Sequence, residues 1–150
     1  MSERIKNLSH GKTPNGTTSE RTAFSALLSQ RESLGITEVY QCDGVFADGY
    51  VVDSAGRKIL VEMKETLGWS QLTSACFQLV SLNNLKELNA TEAWIIYEKI
   101  SNEWHERHNE EAIEHANKCI ASFRVGLEIK FMHLQQNGQF NHTGGVRGAA

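Results

Sequence analysis

The chain has 150 residues, of which 40% are hydrophobic, and its formal net charge is -3. This length suits one ordinary domain with one packed core. The lysines and arginines are scattered, so charge neither indicates nor excludes a nucleic-acid partner. No apolar stretch approaches the roughly 18 residues of a membrane span, and the N-terminus lacks the apolar segment of a signal peptide. Three cysteines without CxxC spacing suit a reducing compartment. We therefore expect a cytoplasmic protein that has no membrane partner.

The first third of the chain predicts a helix followed by strands. Residues 1–18 are polar and contain the only proline, which indicates an arm or loop. Ser19, or Thr18 just before it, can cap a helix whose apolar residues recur at spacings of three and four. Gly35 ends that helix. Three short β-branched and aromatic runs follow, TEVYQCDGVF, DGYVVD and RKILVEMKE, and the SAG between the last two is typical of a hairpin. They predict three consecutive antiparallel strands.

The remaining chain alternates between helices and strands. Helical periodicity covers about Trp69 to Leu88, and the apolar run TEAWIIYEKI then predicts a buried strand that is parallel to a neighbour. A second long helix is expected at about 102–122, and VGLEIKFMHLQ predicts a last strand. The glycine-rich residues 137–150 are expected to form a mobile tail. The predicted fold is α/β, a mixed sheet flanked by helices, with the domain proper at residues 19–136.

Two charges interrupt the apolar strand KILVEMK at residues 58–64. Side chains alternate between the faces of a strand, so Ile59, Val61 and Met63 share one face. Glu62 and Lys64 share the other face and are therefore neighbours.

A hairpin closed by the SAG turn brings Asp48 to the end of the strand that carries Glu62. Two carboxylates brought close together repel each other unless a cation or a proton lies between them. Oxygen-rich sites of this kind suit Mg²⁺, with Mn²⁺ as a substitute. Lys64 can then orient an attacking water or neutralise charge that develops on a phosphate. These groups meet the requirements for hydrolysis of a phosphodiester.

The residues Asp48, GYVVD, a turn and ILVEMK resemble the core motif of the PD-(D/E)xK nuclease superfamily. The predicted order of elements also resembles the α-β-β-β-α-β core of that superfamily, which includes restriction enzymes and Holliday-junction resolvases. The resemblance covers about residues 20–98. It implies a restriction-endonuclease-like fold with an additional C-terminal helix and strand, and Mg²⁺-dependent cleavage of DNA.

The resemblance also implies roles at the site for two further residues. Glu20 stands where members carry a supporting glutamate in the first helix, so it joins Asp48 and Glu62 as a candidate metal ligand. Gln78, in SACFQLVSL, matches a glutamine of the following helix, and an amide near a metal can hold a water or a phosphate oxygen. Asp43 competes with Asp48 as a ligand, and Gln71 competes with Gln78.

Each candidate also has a simpler interpretation. Glu and Lys two apart on a solvated strand face are common charge partners. An acid in the first turn of a helix, such as Glu20, can simply be stabilised there by the helix dipole. His105 and His108 share a helix face but have no third ligand of comparable spacing. Trp69 could stack on a base or anchor its helix to the core.

The sequence thus predicts a metal-dependent deoxyribonuclease, with Asp48, Glu62, Lys64, Gln78 and Glu20 as its site. Cleavage inside a strand and selection of DNA structure are expected, and a homodimer is implied by the resemblance alone. A non-catalytic nucleic-acid-binding or scaffolding protein of the same fold is the alternative from another class. An RNA-directed nuclease also stays open, because phosphate chemistry alone does not read the 2′-hydroxyl.

Overall fold

The structure is a computed structural model that describes residues 4–43, 47–102, 111, 114–119 and 126–146. In these ranges, seven strands form one mixed sheet with helices packed on it, which confirms the α/β class. The elements in chain order are β1 (Arg4–Asn7), α1 (Thr18–Ser29), α2 (Arg31–Leu34), β2 (Ile36–Asp43), β3 (Gly49–Asp53), β4 (Lys58–Leu67), α3 (Trp69–Leu85), β5 (Glu92–Ile100), β6 (Glu128–Leu134) and β7 (Phe140–Val146).

The strands lie across the sheet in the order in which they occur along the chain. Strands β1 to β4 pair antiparallel, β4 to β6 pair parallel, and β7 pairs antiparallel with β6. The predicted antiparallel meander is therefore confirmed, as is the parallel strand that a helical crossover delivers beside β4.

The sheet has a hydrophobic core on each face. One core packs under α3 and includes Leu60 of β4, and the other packs under α1 and includes Val61 of the same strand. Ile59 and Met63 lie in the α1 core beside Val61, as the two-residue period predicts. This alternation places Glu62 and Lys64 on the α3 face.

The turn between β3 and β4 is held by Asp53. Its Oδ1 accepts hydrogen bonds from the backbone N–H groups of Ala55 (2.9 Å) and Arg57 (2.8 Å). An aspartate that bonds the backbone just ahead of it is a typical turn former. The short turn fixes the register of the hairpin.

The first helix starts slightly earlier than the sequence indicates. Thr17, rather than Ser19 or Thr18, is the N-cap, and its side chain accepts a hydrogen bond from the N–H of Glu20. Gly35 ends the helical stretch with a φ of 69°, a left-handed conformation that glycine adopts without strain. Its role as helix terminator is confirmed.

Both predicted termini are wrong in part. Within the expected arm, Arg4–Asn7 is a strand that pairs with β2, and within the expected tail, Phe140–Val146 is a strand that pairs with β6. Both are edge strands. The partner of β1 is distant in sequence, and the residues of β7, FNHTGGV, have no strong alternation. Of the expected helix at 102–122, residues 102, 111 and 114–119 are helical, and the others lie outside the described residues.

None of the helices in the described residues is long and apolar enough to cross a membrane.

Candidate functional site

The site forms at the start of β3, where the sheet opens beside β4. The last pair of the β3–β4 ladder is Gly49 opposite Val61, whereas β4 continues to pair with β5 as far as Leu67. The backbone of β4 beyond Val61 therefore faces Asp48, which immediately precedes β3. We call this opening the fork of the sheet.

Asp48 forms hydrogen bonds with Glu62 and Met63 across the fork. The backbone N–H of Asp48 donates to Oε1 of Glu62 (2.9 Å), and the N–H of Met63 donates to Oδ2 of Asp48 (2.7 Å). These bonds replace the ladder bonds that would have continued the hairpin. The structure thus brings together the two carboxylates that hairpin geometry predicts as neighbours.

Lys64 completes a chain of polar contacts from β4 to α3. Its Nζ lies 3.1 Å from Oε2 of Glu62 and donates to Oε1 of Gln78 at 3.0 Å. A longer contact of 3.4 Å reaches the hydroxyl of Ser74, one turn earlier on α3. Between the two candidate glutamines, the structure places Gln78 at the site, whereas the amide of Gln71 lies against Gly68.

The two carboxyl groups are buried and electrostatically strained as a pair. The Glu62 residue is only 2% exposed, and burial, followed by the negative charge of Asp48, raises its pKa to about 9. Burial also raises the pKa of Asp48 above its ordinary range, against the lowering effect of its hydrogen bond from Met63. Lys64 supplies one positive charge to two carboxylates, so a further cation would stabilise their ionised forms.

The same groups line a cavity of about 670 Å³ at the fork. This volume is within the range of about 300–1,000 Å³ that is typical of ligand sites. Residues from both faces of the sheet contribute, and they are Lys6, Asn15, Gly16, Thr17, Glu20, Gln41, Cys42, Asp48, Glu62, Met63, Lys64 and Gln78.

Glu20 belongs to this cavity and also to the start of α1. Its backbone N–H donates to Thr17 Oγ1, and the same hydroxyl donates to Oε1 of Glu20 (3.2 Å each), so both side chains take part in the N-cap. The negative charge of Glu20 contributes to the raised pKa of Asp48, so Glu20 acts electrostatically on the Asp48 carboxyl group. Both interpretations of Glu20, as a cap and as a site residue, are therefore compatible with its position.

The donor set fits a divalent cation through two residues. No group of three or more His, Cys, Asp and Glu side chains in the described part of the chain is arranged to hold a metal, so Glu20 does not complete a three-ligand set with Asp48 and Glu62. Mg²⁺ usually keeps several waters and binds through one or two carboxylates together with substrate phosphates. Asp48 and Glu62 match that requirement.

The other candidates lie apart from the site or outside the described residues. Trp69 packs against the α3 core, and its ring meets that of His115 edge-on with centroids 5.4 Å apart, which favours the anchoring role. His105 and His108 lie outside the described residues, as does the side chain of Asp43.

The sequence did not indicate that the N-terminal segment lines one side of the cavity. Gln41, 4% exposed, accepts from the N–H of Asn15 (2.8 Å) and donates to the carbonyl of the same residue (2.7 Å). Lys6 donates to the carbonyl of Thr13 at 2.7 Å. These contacts hold the loop before α1 over the fork. A four-residue polar strand gives no periodic signal, so only the structure reveals them.

Comparisons with known proteins give little further information. No protein family matches the chain, and no curated protein matches it either. A solved structure of SfsA from Pyrococcus furiosus, in complex with Ca²⁺, is similar with a TM-score of 0.37 and 16% sequence identity. The match covers 86% of this chain and 61% of that chain, so this chain spans about three fifths of the length of its neighbour. A similarity this distant carries no argument about activity.

Proposed function

We propose that the chain is a metal-dependent nuclease of the PD-(D/E)xK type that hydrolyses DNA phosphodiester bonds inside a strand. The observation that carries this proposal is the buried Asp48–Glu62 pair beside Lys64. All three line one open cavity, and Lys64 is fixed by Glu62 on one side and by Gln78 on the other. An ordinary solvated strand face would not bury its glutamate to 2% exposure.

Asp48 and Glu62 are the residues that would hold Mg²⁺, with Mn²⁺ as a substitute. The ion supplies positive charge that stabilises the negative charge developing on the phosphoryl oxygens. Burial of the two carboxyl groups supports this assignment, because a divalent cation offsets the cost of burying their negative charge, which raises both pKa values, and the charge of Asp48, which raises that of Glu62 further. Glu20 acts in support from α1 by adding negative charge to the cavity.

Lys64 positions the attacking water and neutralises charge on the phosphate. Its ammonium group has three donors, and two of them are directed at Glu62 and Gln78. The third makes only the long contact of 3.4 Å to Ser74, so it can turn to a water beside the scissile phosphate. Gln78 therefore acts as a positioning residue for Lys64.

The experiment that tests the proposal compares substrates and metals. Purified protein is incubated with linear duplex, single-stranded, circular and four-way-junction DNA, and with RNA, in Mg²⁺, Mn²⁺ or EDTA. We expect metal-dependent cleavage that includes circles and is lost in Glu62→Gln. Cleavage of RNA alone would redirect the proposal to an RNA-directed nuclease. Binding without cleavage of any substrate would reject catalysis and favour a non-catalytic nucleic-acid-binding protein.

A further inference from the structure

Lys6 stands in the wall of the cavity on the face of the sheet opposite to Lys64. In the register of the sheet, Lys6 lies opposite Gln41, and Gln41 lies opposite Gly49. Directly paired residues project to the same face, and a Cβ at Gly49 would meet Phe24 of the α1 core. Lys6 therefore belongs to the α1 face, whereas Lys64 belongs to the α3 face. The cavity at the fork reaches both.

Lys6 has no acidic partner among the residues that the structure describes. Its Nζ donates to the carbonyl of Thr13, and among the described residues no carboxylate lies within 4.0 Å of it. Lys64, by contrast, is paired with Glu62 at 3.1 Å. A lysine at the edge of a cavity without an acidic partner is available to an anionic ligand.

The distance across the sheet suits a second phosphate of one DNA strand. Two strand spacings of about 4.8 Å place the backbone of Lys6 about 10 Å from that of Gly49, next to Asp48. A strand of duplex DNA rises about 3.4 Å per nucleotide along the helix axis. Because the strand also winds around that axis, successive phosphates are farther apart than this rise, so the distance spans at most about three nucleotides. The long side chain of Lys6 can bring its ammonium group closer to Asp48 than this backbone distance.

We propose that Lys6 forms a second phosphate subsite, which binds a backbone phosphate within about three nucleotides of the scissile one on the same strand. This inference rests on the proposed function, because it takes the Asp48–Glu62 pair as the position of the scissile phosphate. The ligand is the phosphodiester backbone itself. The subsite thus sets the register of the strand and reads no base sequence.

The test is the salt dependence of binding, which counts phosphate contacts. Fluorescence anisotropy with a labelled oligonucleotide, single-stranded or duplex, is measured in EDTA from about 50 to 200 mM KCl, so that hydrolysis does not interfere. We expect Lys6→Ala to weaken binding and to reduce the slope of log K against log salt by about 0.7 for single strands and 0.9 for duplex. Lys6→Arg should keep the slope of the wild type.

Two control variants separate the charge of Lys6 from its structural contact. Lys12→Ala removes an exposed lysine of the same segment that does not line the cavity, so its slope should equal that of the wild type. Gln41→Leu loosens the loop at Asn15 without changing the charge, so it can weaken binding but should leave the slope unchanged. An unchanged slope in Lys6→Ala, or the same change in Gln41→Leu, overturns the subsite.

Cleavage assays make the two proposals separable. Cleavage by the wild type together with an unchanged slope in Lys6→Ala would reject the subsite and leave the nuclease standing. A reduced slope without any cleavage would support the subsite and reject hydrolysis. Absence of any DNA binding by the wild type would overturn the subsite outright.

Discussion

Glu62 is the residue whose environment differs most from that of a solvated strand glutamate. It is nearly inaccessible, it accepts a hydrogen bond from the backbone of Asp48, and its other oxygen contacts Lys64. A buried acid is costly unless a proton, a cation or several donors stabilise it. The metal-free protein therefore retains a proton at this pair to higher pH than an exposed glutamate would.

This protonation gives the metal-free protein a specific pH dependence. The pKa of Glu62 rises from 4.5 in its ordinary state to about 9, so the folded protein binds more protons than the unfolded chain between these values. The contribution to stability is fully present below about pH 4.5 and is lost as the pH rises towards 9. In EDTA, we predict that the Tm falls over this range and that Glu62→Gln flattens the fall.

The divalent cation should reverse the trend, because binding to carboxylates releases their protons. The gain in Tm on addition of Mg²⁺ should therefore grow as the pH rises, and it should be small in Glu62→Gln. A gain in Tm from Mg²⁺ that is independent of pH, or equal in the variant, would show that the ion binds elsewhere.

At the scale of elements, the start of α1 combines a structural role with a role at the site. Thr17 and Glu20 cap the helix through their side chains, and both also line the cavity. The two roles depend on different properties, because capping needs a hydrogen-bonding side chain whereas the site needs a negative charge.

Two variants separate these roles. Thr17→Ala should lower the free energy of unfolding by about 1 kcal/mol, as is usual for a lost N-cap, with little change in Mn²⁺ affinity. Glu20→Gln keeps a side-chain oxygen that can accept from the Thr17 hydroxyl, so its stability should change by less than about 0.5 kcal/mol while Mn²⁺ affinity falls. Chemical denaturation and calorimetric Mn²⁺ titration provide the two readouts. An unchanged Mn²⁺ affinity in Glu20→Gln would show that Glu20 is only a cap.

Elements stabilised by local contacts could be predicted from the sequence. The β3–β4 hairpin follows from a turn and two alternating strands, and α3 follows from its apolar period. Strand β1 could not be predicted, since its four residues pair with β2 almost 40 positions later, as in Arg4 opposite Asp43. Its stability comes from a distant partner and not from local propensity.

At the scale of the whole molecule, Gln30 connects the N-terminal helix to the C-terminal hairpin. Its Nε2 donates to the carbonyl of Gly138 (2.6 Å), and its Oε1 accepts from the N–H of Phe140 at 3.4 Å. The ring of Phe140 packs against the α1 core. These contacts span more than 100 residues and tie β7 to the body of the protein.

Loss of this connection should destabilise the protein measurably. We predict that Gln30→Ala lowers the free energy of unfolding by about 1–2 kcal/mol, because a partly buried side chain with two hydrogen bonds is removed. Gln139→Ala removes an exposed glutamine of the β6–β7 hairpin and should change stability by less than about 0.5 kcal/mol. Urea denaturation of the two variants measures the difference. Equal midpoints would contradict a structural role for Gln30.

Local sequence patterns located the site on the α3 face of the sheet, and the family resemblance added Glu20 of α1. Asp48, Glu62 and Lys64 are neighbours through a hairpin and a period of two, and both relations are local. Lys6 and the loop that Gln41 holds at Asn15 line the cavity because β1 joins the sheet. The sequence does not reveal strand β1. The choice between Gln71 and Gln78 also depends on how α3 lies on the sheet, which the helical period alone does not fix.

The central claim is that Lys64 takes part in DNA cleavage, whereas an ordinary surface lysine does not. The most direct measurement compares Mg²⁺-dependent DNA cleavage by the wild type, Lys64→Ala and Lys99→Ala, together with their Mn²⁺ affinities. Lys99 is an exposed strand lysine whose contact with Glu65, at 3.9 Å, is an ordinary surface pair. We predict that Lys64→Ala retains Mn²⁺ binding but loses about 100- to 10,000-fold in rate, whereas Lys99→Ala cleaves like the wild type. Cleavage by Lys64→Ala at the rate of the wild type would contradict the account.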